Sequence, residues 1–180
     1  SSGWISGTKT WALSGTGWVL GGSGFALGGN GFASGGSGWK AGVNSAYLAN
    51  NGSYWEQIGL FGAHYSSSTL GKGVKIAVID TGIDLNHPMF AESLAPQSEW
   101  RDYVDYDFIP QDKMGGPGTG HGTAVAGIIF HVAPQSTILP IRVLNEYGFG
   151  DMDHVISAID HAIESGAQII NLSLGTDTNS

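Results

Sequence analysis

Short apolar runs ended by small or polar residues set the rhythm of the chain from about Trp55 onward. Val74-Lys75-Ile76-Ala77-Val78-Ile79, Thr137-Ile138-Leu139-Pro140-Ile141-Arg142-Val143 and Gln168-Ile169-Ile170-Asn171-Leu172-Ser173 are β-branched and nearly continuous, as in strands covered on both faces of a parallel sheet. Helical patterns lie between them. Ala124, Val125, Ala126, Ile128 and Ile129 form a small, dense stretch that predicts a helix buried almost all round. From Asp151, a plausible N-cap, Met152, Val155, Ile156, Ile159, Ala162 and Ile163 recur at spacings of three and four, and Gly166 supplies the stop. This alternation of strand and helix predicts the α/β class, a parallel, doubly wound sheet with flanking helices.

The first fifty-three residues follow another rule. They hold fifteen of the thirty glycines and none of the fifteen acidic residues, with Lys9 and Lys40 as their only charges. Thr16 to Gly22, Ser23 to Gly29, Asn30 to Gly36 and Ser37 to Gly42 share a seven-residue Gly/aromatic pattern, and two looser copies occupy Ser2 to Gly15. Glycine at this density removes helix propensity, so a coiled coil is excluded. Two readings remain: short β-arcs turning at each Gly pair, with Trp and Phe stacked on one side, or a low-complexity linker or propeptide remnant. The composition change near Tyr54-Trp55-Glu56 divides the chain into a repeat segment, 1–53, and a second part, 54–180.

Candidate chemistry sits at two islands. Asp80, in Val78-Ile79-Asp80-Thr81-Gly82-Ile83-Asp84, ends the first apolar strand, where open α/β sheets place their sites. Asp before Thr-Gly is also ordinary turn chemistry, and Asp84 reads as a turn or cap residue. His121, in Gly120-His121-Gly122-Thr123-Ala124-Val125-Ala126-Gly127, opens the first helix. A carboxylate that orients an imidazole is the support a serine nucleophile needs, with the carboxylate fixing the tautomer and stabilising the imidazolium.

Residues from about Trp55 onward resemble the N-terminal part of the catalytic domain of subtilisin-like serine proteases, the subtilases. Asp80 and His121 match the family's Asp and His motifs, and Asn171-Leu172-Ser173-Leu174-Gly175 matches a third. The family's chain order is Asp, His, Ser. The resemblance therefore implies a serine endopeptidase for which this chain supplies Asp80 and His121, with the serine and the rest of the peptidase domain expected beyond Ser180. It further implies that Ser173, Leu174 and Gly175 line the pocket for the side chain before the scissile bond. Gly148, Phe149 and Gly150 would be the opposing strand, unless they are only a flexible loop before the helix. A polypeptide substrate would then lie extended between two edges.

Three positions depart from the family pattern. Ala124 stands where many subtilases have a second, non-triad His. Met89 follows His87-Pro88 where calcium-binding members commonly carry an Asp, and Phe130 to Pro134 is too short for their calcium loop. The family's strongest calcium site is therefore expected to be absent and no cofactor to be required for the chemistry. Asp102, Asp105, Asp107 and Asp112 are either solvated or available to a different cation site. His154 and His161 read as solvated residues rather than metal ligands.

Composition narrows the remaining classes. Seven basic against fifteen acidic residues give a net charge of −8, which argues against nucleic acid as a partner. There is no Cys, hence no disulfide framework. No apolar run is long enough for a membrane span, no signal peptide is recognisable, and an extracellular or cell-surface location follows from family habit alone. The alternative from another class is a noncatalytic binding or structural module, in which a degenerate half-domain carries a Gly/aromatic repeat that docks on a polymer surface.

Overall fold

A computed structural model describes residues 54–175 in full and, before them, the backbone of five short strands. The chain divides into two compact units, Ser1–Ser68 and Thr69–Ser180.

In the first unit the strands are β1 (Gly3–Ser6), β2 (Lys9–Leu13), β3 (Gly17–Leu20), β4 (Ser23–Leu27) and β5 (Gly31–Ser34). Copies alternate between two parallel sheets, one in the order β1-β3-β5 and the other pairing β2 with β4. The register steps by two heptads, so Trp4 pairs with Trp18 and Trp18 with Phe32, while Trp11 pairs with Phe25. The stacking expected of these side chains, and the last copy from Ser37 to Gly42, lie outside the described residues. Helix α1 (Leu60–Ser66) closes the unit.

The second unit builds a four-stranded parallel sheet from β6 (Lys75–Asp80), β7 (Arg101–Asp102), β8 (Thr137–Arg142) and β9 (Ile169–Leu172), in the order β7-β8-β6-β9. Helix α2 (His121–Val132) links β7 to β8, and α3 (Met152–Glu164) links β8 to β9. Parallel neighbours require such crossovers because a tight hairpin joins only antiparallel strands. Ala77, Ile79, Leu139 and Ile141 of the two central strands pack with Val155, Ala158 and Ala162 of α3 to make the main core. The boundaries of β6, β8, β9 and α3 fall within a residue of those read from the apolar runs, whereas α2 extends past Ile129 to Val132. Gly166, at φ 75°, takes the left-handed conformation that ends α3.

Both helices are less covered than their sequences suggest. Ala124, Ile128 and Val132 of α2 are exposed, and the buried face is Gly122, Ala126, Phe130 and His131. In α3 the small residues Ala158 and Ala162 take the sheet-facing seam, leaving Met152, Ile156 and Ile163 outside. Neither histidine of α3 is simply solvated. His161 Nε2 lies 2.7 Å from the Glu99 carbonyl oxygen, and His154 stacks on Tyr103 while meeting Tyr106 edge-on.

A fully buried arginine sits beside the central strand's end. Arg142 pairs in register with Asp80, and its Nη1 donates to Asp102 Oδ2 at 3.0 Å and to Asp105 Oδ2. Asp102 Oδ1 accepts the amides of Val104 and Asp105, which folds the 102–107 turn over the guanidinium. Burial works against the Arg142 charge, but the hydrogen bonds and field of Asp102, then Asp105, outweigh it and hold the guanidinium above its ordinary range. Asp105 is held below the usual carboxylate range, first by its hydrogen bond from Lys113 and also by Arg142, with desolvation opposing.

Two outcomes follow from this cluster. Arg142→Met leaves Asp102 buried and unpaired, so urea unfolding should show a loss of about 3–5 kcal/mol. A depressed carboxyl stabilises the fold above its unfolded-state value of about 3.9 and loses that contribution as pH falls through the folded value. Asp105→Asn should therefore lower stability at pH 7 and flatten its decline below about pH 4.

Candidate active site

β6 delivers Asp80 to its C-terminal end with no exposed surface, and α2 begins at His121, forty-one residues later. His121 Nδ1 and Asp80 Oδ1 are 2.7 Å apart. The same oxygen accepts the Thr81 amide at 2.7 Å, whereas Asp80 Oδ2 has no hydrogen-bond partner among the described residues. The imidazole remains 48% exposed at its side chain, so one end of the pair is dry and the other faces solvent. With Nδ1 carrying the proton toward the carboxylate, Nε2 of a neutral ring holds the lone pair available to an incoming proton.

Absent side chains make this approach possible. A Cβ on Gly122 would overlap the Gly82 carbonyl oxygen and stand 3.1 Å from Asp80 Cβ. Gly82 itself has φ 99°, and a Cβ there would press on the Pro110 carbonyl. Gly120 starts the helix at φ 82°, a conformation that favours glycine. The first helical turn, which has no intrahelical acceptors, finds one in Thr81 Oγ1, which accepts the Gly122 amide at 3.0 Å.

Residues expected at a substrate cleft follow β9 and β8, the two strands on either side of β6. β9 pairs with β6 through Ile79 and Leu172, so Ser173 follows Leu172 just as Asp80 follows Ile79. Ser173 and Gly175 are exposed, Leu174 packs against the core, and Asn171 Nδ2 donates to Ser173 Oγ at 2.9 Å. Gly148, Phe149 and Gly150 form no strand. The Asn145 amide donates to the Phe149 carbonyl, the Asn145 side chain accepts from Tyr147 and Phe149, and the result is a tight turn with Phe149 71% exposed. The loop before His121 packs on this turn through the Gly118 amide, which donates to the Glu146 carbonyl at 2.8 Å.

The four aspartates considered for a cation do not converge. Asp102 and Asp105 hold Arg142, Asp107 Oδ1 accepts the Ile109 amide, and Asp112 accepts from Gly120 and Thr123. Among the described residues no three acidic or histidine side chains group as metal ligands would. Asp84 makes a turn, its Oδ1 accepting the Asn86 amide. Thr81, Gly122 and Arg142 carry structural weight that motif reading passed over. Arg142 was detectable as a charge inside an apolar strand run, but the Thr81 and Gly122 contacts depend on pairing across the fold.

Fold and geometry define a parallel α/β protein with a buried carboxylate bonded to a helix-start imidazole at the sheet's C-terminal edge. Residues 71–180 match the model of the subtilase family, and the chain belongs to that family. It is 40% identical over 119 residues to the minor extracellular protease Vpr of Bacillus subtilis strain 168, covering 61% of this chain and 15% of that protein. Thermitase of Thermoactinomyces vulgaris is 41% identical over 115 residues, covering 58% of this chain and 38% of thermitase. The crystal structure of a cold-adapted subtilisin-like serine proteinase superposes with a TM-score of 0.52 at 34% identity, over 64% of this chain and 41% of that one. The chain thus spans well under half the length of these relatives.

The close approach at Gly122 can be tested alone. Gly122→Ala forces a backbone shift, and overpacking of this kind costs about 1–3 kcal/mol or more, so the urea midpoint should fall with the m-value unchanged.

Proposed function

We propose that the chain is the Asp- and His-bearing part of a serine endopeptidase. His121 acts as general base toward a serine supplied from outside these residues, then as general acid toward the leaving amine. Asp80 accepts from Nδ1 and stabilises the imidazolium while the tetrahedral intermediate exists. The single observation that carries the reading is the 2.7 Å contact between a fully buried carboxylate and a half-exposed imidazole. Burial of one partner holds the geometry, while exposure of the other lets a proton move. Membership of the family supports the same assignment.

Ser173, Leu174 and Gly175 serve as one wall of the cleft and Gly148, Phe149 and Gly150 as the other, with a polypeptide bound extended between them. Small residues at Ser173 and Gly175 let a main chain approach closely enough to pair on that side, and the closed turn supplies a surface on the other. Acid, base and nucleophile are all side chains, so the reaction requires no cofactor. An extracellular location is in keeping with relatives such as the extracellular protease Vpr. Among the described residues no helix is long and apolar enough to cross a membrane.

In the full-length protein, His121→Ala should lower kcat on a chromogenic peptide by several orders of magnitude with little change in KM. The isolated 180-residue chain should not react with a fluorophosphonate probe, because labelling requires the activated serine. Labelling of the isolated chain, or an unimpaired His121→Ala enzyme, would overturn the assignment.

A further inference from the structure

The Asp80–His121 contact depends on two segments that come from different parts of the sheet and must stop at the right depth. β6 ends at Asp80 and its chain runs on through Gly82, Ile83 and Asp84, whereas His121 arrives on a loop and a helix start. One side chain joins them. The Asp112 amide donates to the Ile83 carbonyl at 3.0 Å, and the Ile83 amide donates to the Pro110 carbonyl, so Asp112 is anchored to the segment that runs on from Asp80. Its carboxylate faces the other way. Oδ1 accepts the Gly120 amide at 3.1 Å and Oδ2 accepts the Thr123 hydroxyl at 2.7 Å, so the same residue grips the helix start on both sides of His121. Thr123 Oγ1 in turn accepts the Asp84 amide at 2.9 Å, closing a ring of hydrogen bonds between the two segments.

We propose that Asp112, working through Thr123, is a positioning residue that sets the depth and orientation of His121 against Asp80. The proposal rests on the acid–base reading of that pair and adds to it a third carboxylate that touches no reacting atom. Its chemistry suits the task. A carboxylate accepts two donors at once, at charge-assisted strength, and both of these donors belong to a helix N-terminus, which favours negative charge. Gly120 supplies the left-handed start but no side chain, so the helix start is held from outside, with Asp112 taking the Gly120 amide and the Thr123 hydroxyl. Thr81 secures the next amide, that of Gly122, from the strand side. His121 is thereby held between two amides that are both fixed by side chains of the Asp80-bearing layer.

The test reads the hydrogen bond itself and needs no turnover. In the full chain labelled with ¹⁵N-histidine, the Nδ1 proton of His121, assigned by its loss in His121→Gln, should resonate far downfield and shift upfield in Asp80→Asn. Asp112→Ala and Thr123→Val should speed exchange of that proton by about tenfold or more with the far-UV circular dichroism unchanged. Thr123→Ser, which keeps the hydroxyl, should restore slow exchange. If Asp112→Ala fails to fold, the Thr123→Val and Thr123→Ser pair carries the same comparison. Wild-type exchange in both Asp112→Ala and Thr123→Val would overturn the positioning role while leaving the Asp80–His121 pair standing. A downfield proton indifferent to Asp80→Asn would instead overturn the pair, and the proposal with it.

Discussion

The site depends on how closely a helix start can be brought to the end of a strand. Gly122 packs against the Gly82 carbonyl and the Asp80 side chain with no room for a methyl group. Any side chain there would push His121 away from a carboxylate that is already fully desolvated. The cost of burying Asp80 is offset by its bonds to Thr81 and His121, so the packing constraint and the electrostatic one are the same constraint seen from two sides. Hydrogen bonds from the Gly122 amide to Thr81 and from the Gly120 amide to Asp112 then lock what the glycines permit.

A second buried charge lies one strand away. Arg142 occupies the register position beside Asp80 and gathers Asp102, Asp105 and, at 3.6 Å, Glu146 around its guanidinium. It ties together the 102–107 turn and the loop after β8. The carbonyl of Glu146 receives the amide of Gly118, in the loop that leads to His121. The acidic residues of this region are thus spent largely on internal bonds, which is why they do not assemble as a cation site among the described residues.

Much of this was legible in the sequence because it is written in short-range patterns. Continuous β-branched runs gave the central strands, the spacing of three and four gave α3, and motifs one strand and one helix long located Asp80 and His121. Failures came where burial is decided by partners. The sequence of α2 looks uniformly apolar, yet only one side faces β6, so Ile128 and Val132 stay outside. In α3 the larger residues Ile156 and Ile163 lose the core position to alanines, because close helix–sheet packing favours the smaller side chain. At Gly148, Phe149 and Gly150 the family resemblance implies an opposing strand and the residues alone a loop; glycines flanking an aromatic carry no periodicity to decide it, and Asn145 is what closes the turn. Asp112 belonged to a polar loop whose meaning appears only when Ile83, Gly120 and Thr123 are brought around it.

The two-heptad register of the N-terminal strands carries a parity rule. Successive copies alternate between sheets, and like pairs with like only across two copies. Gain or loss of a single copy among the described strands would send every later one to the opposite sheet. A change by two would lengthen or shorten each stack by one rung, about 4.8 Å, and keep every later strand in its own sheet, so two heptads and not one are the structural unit of the repeat.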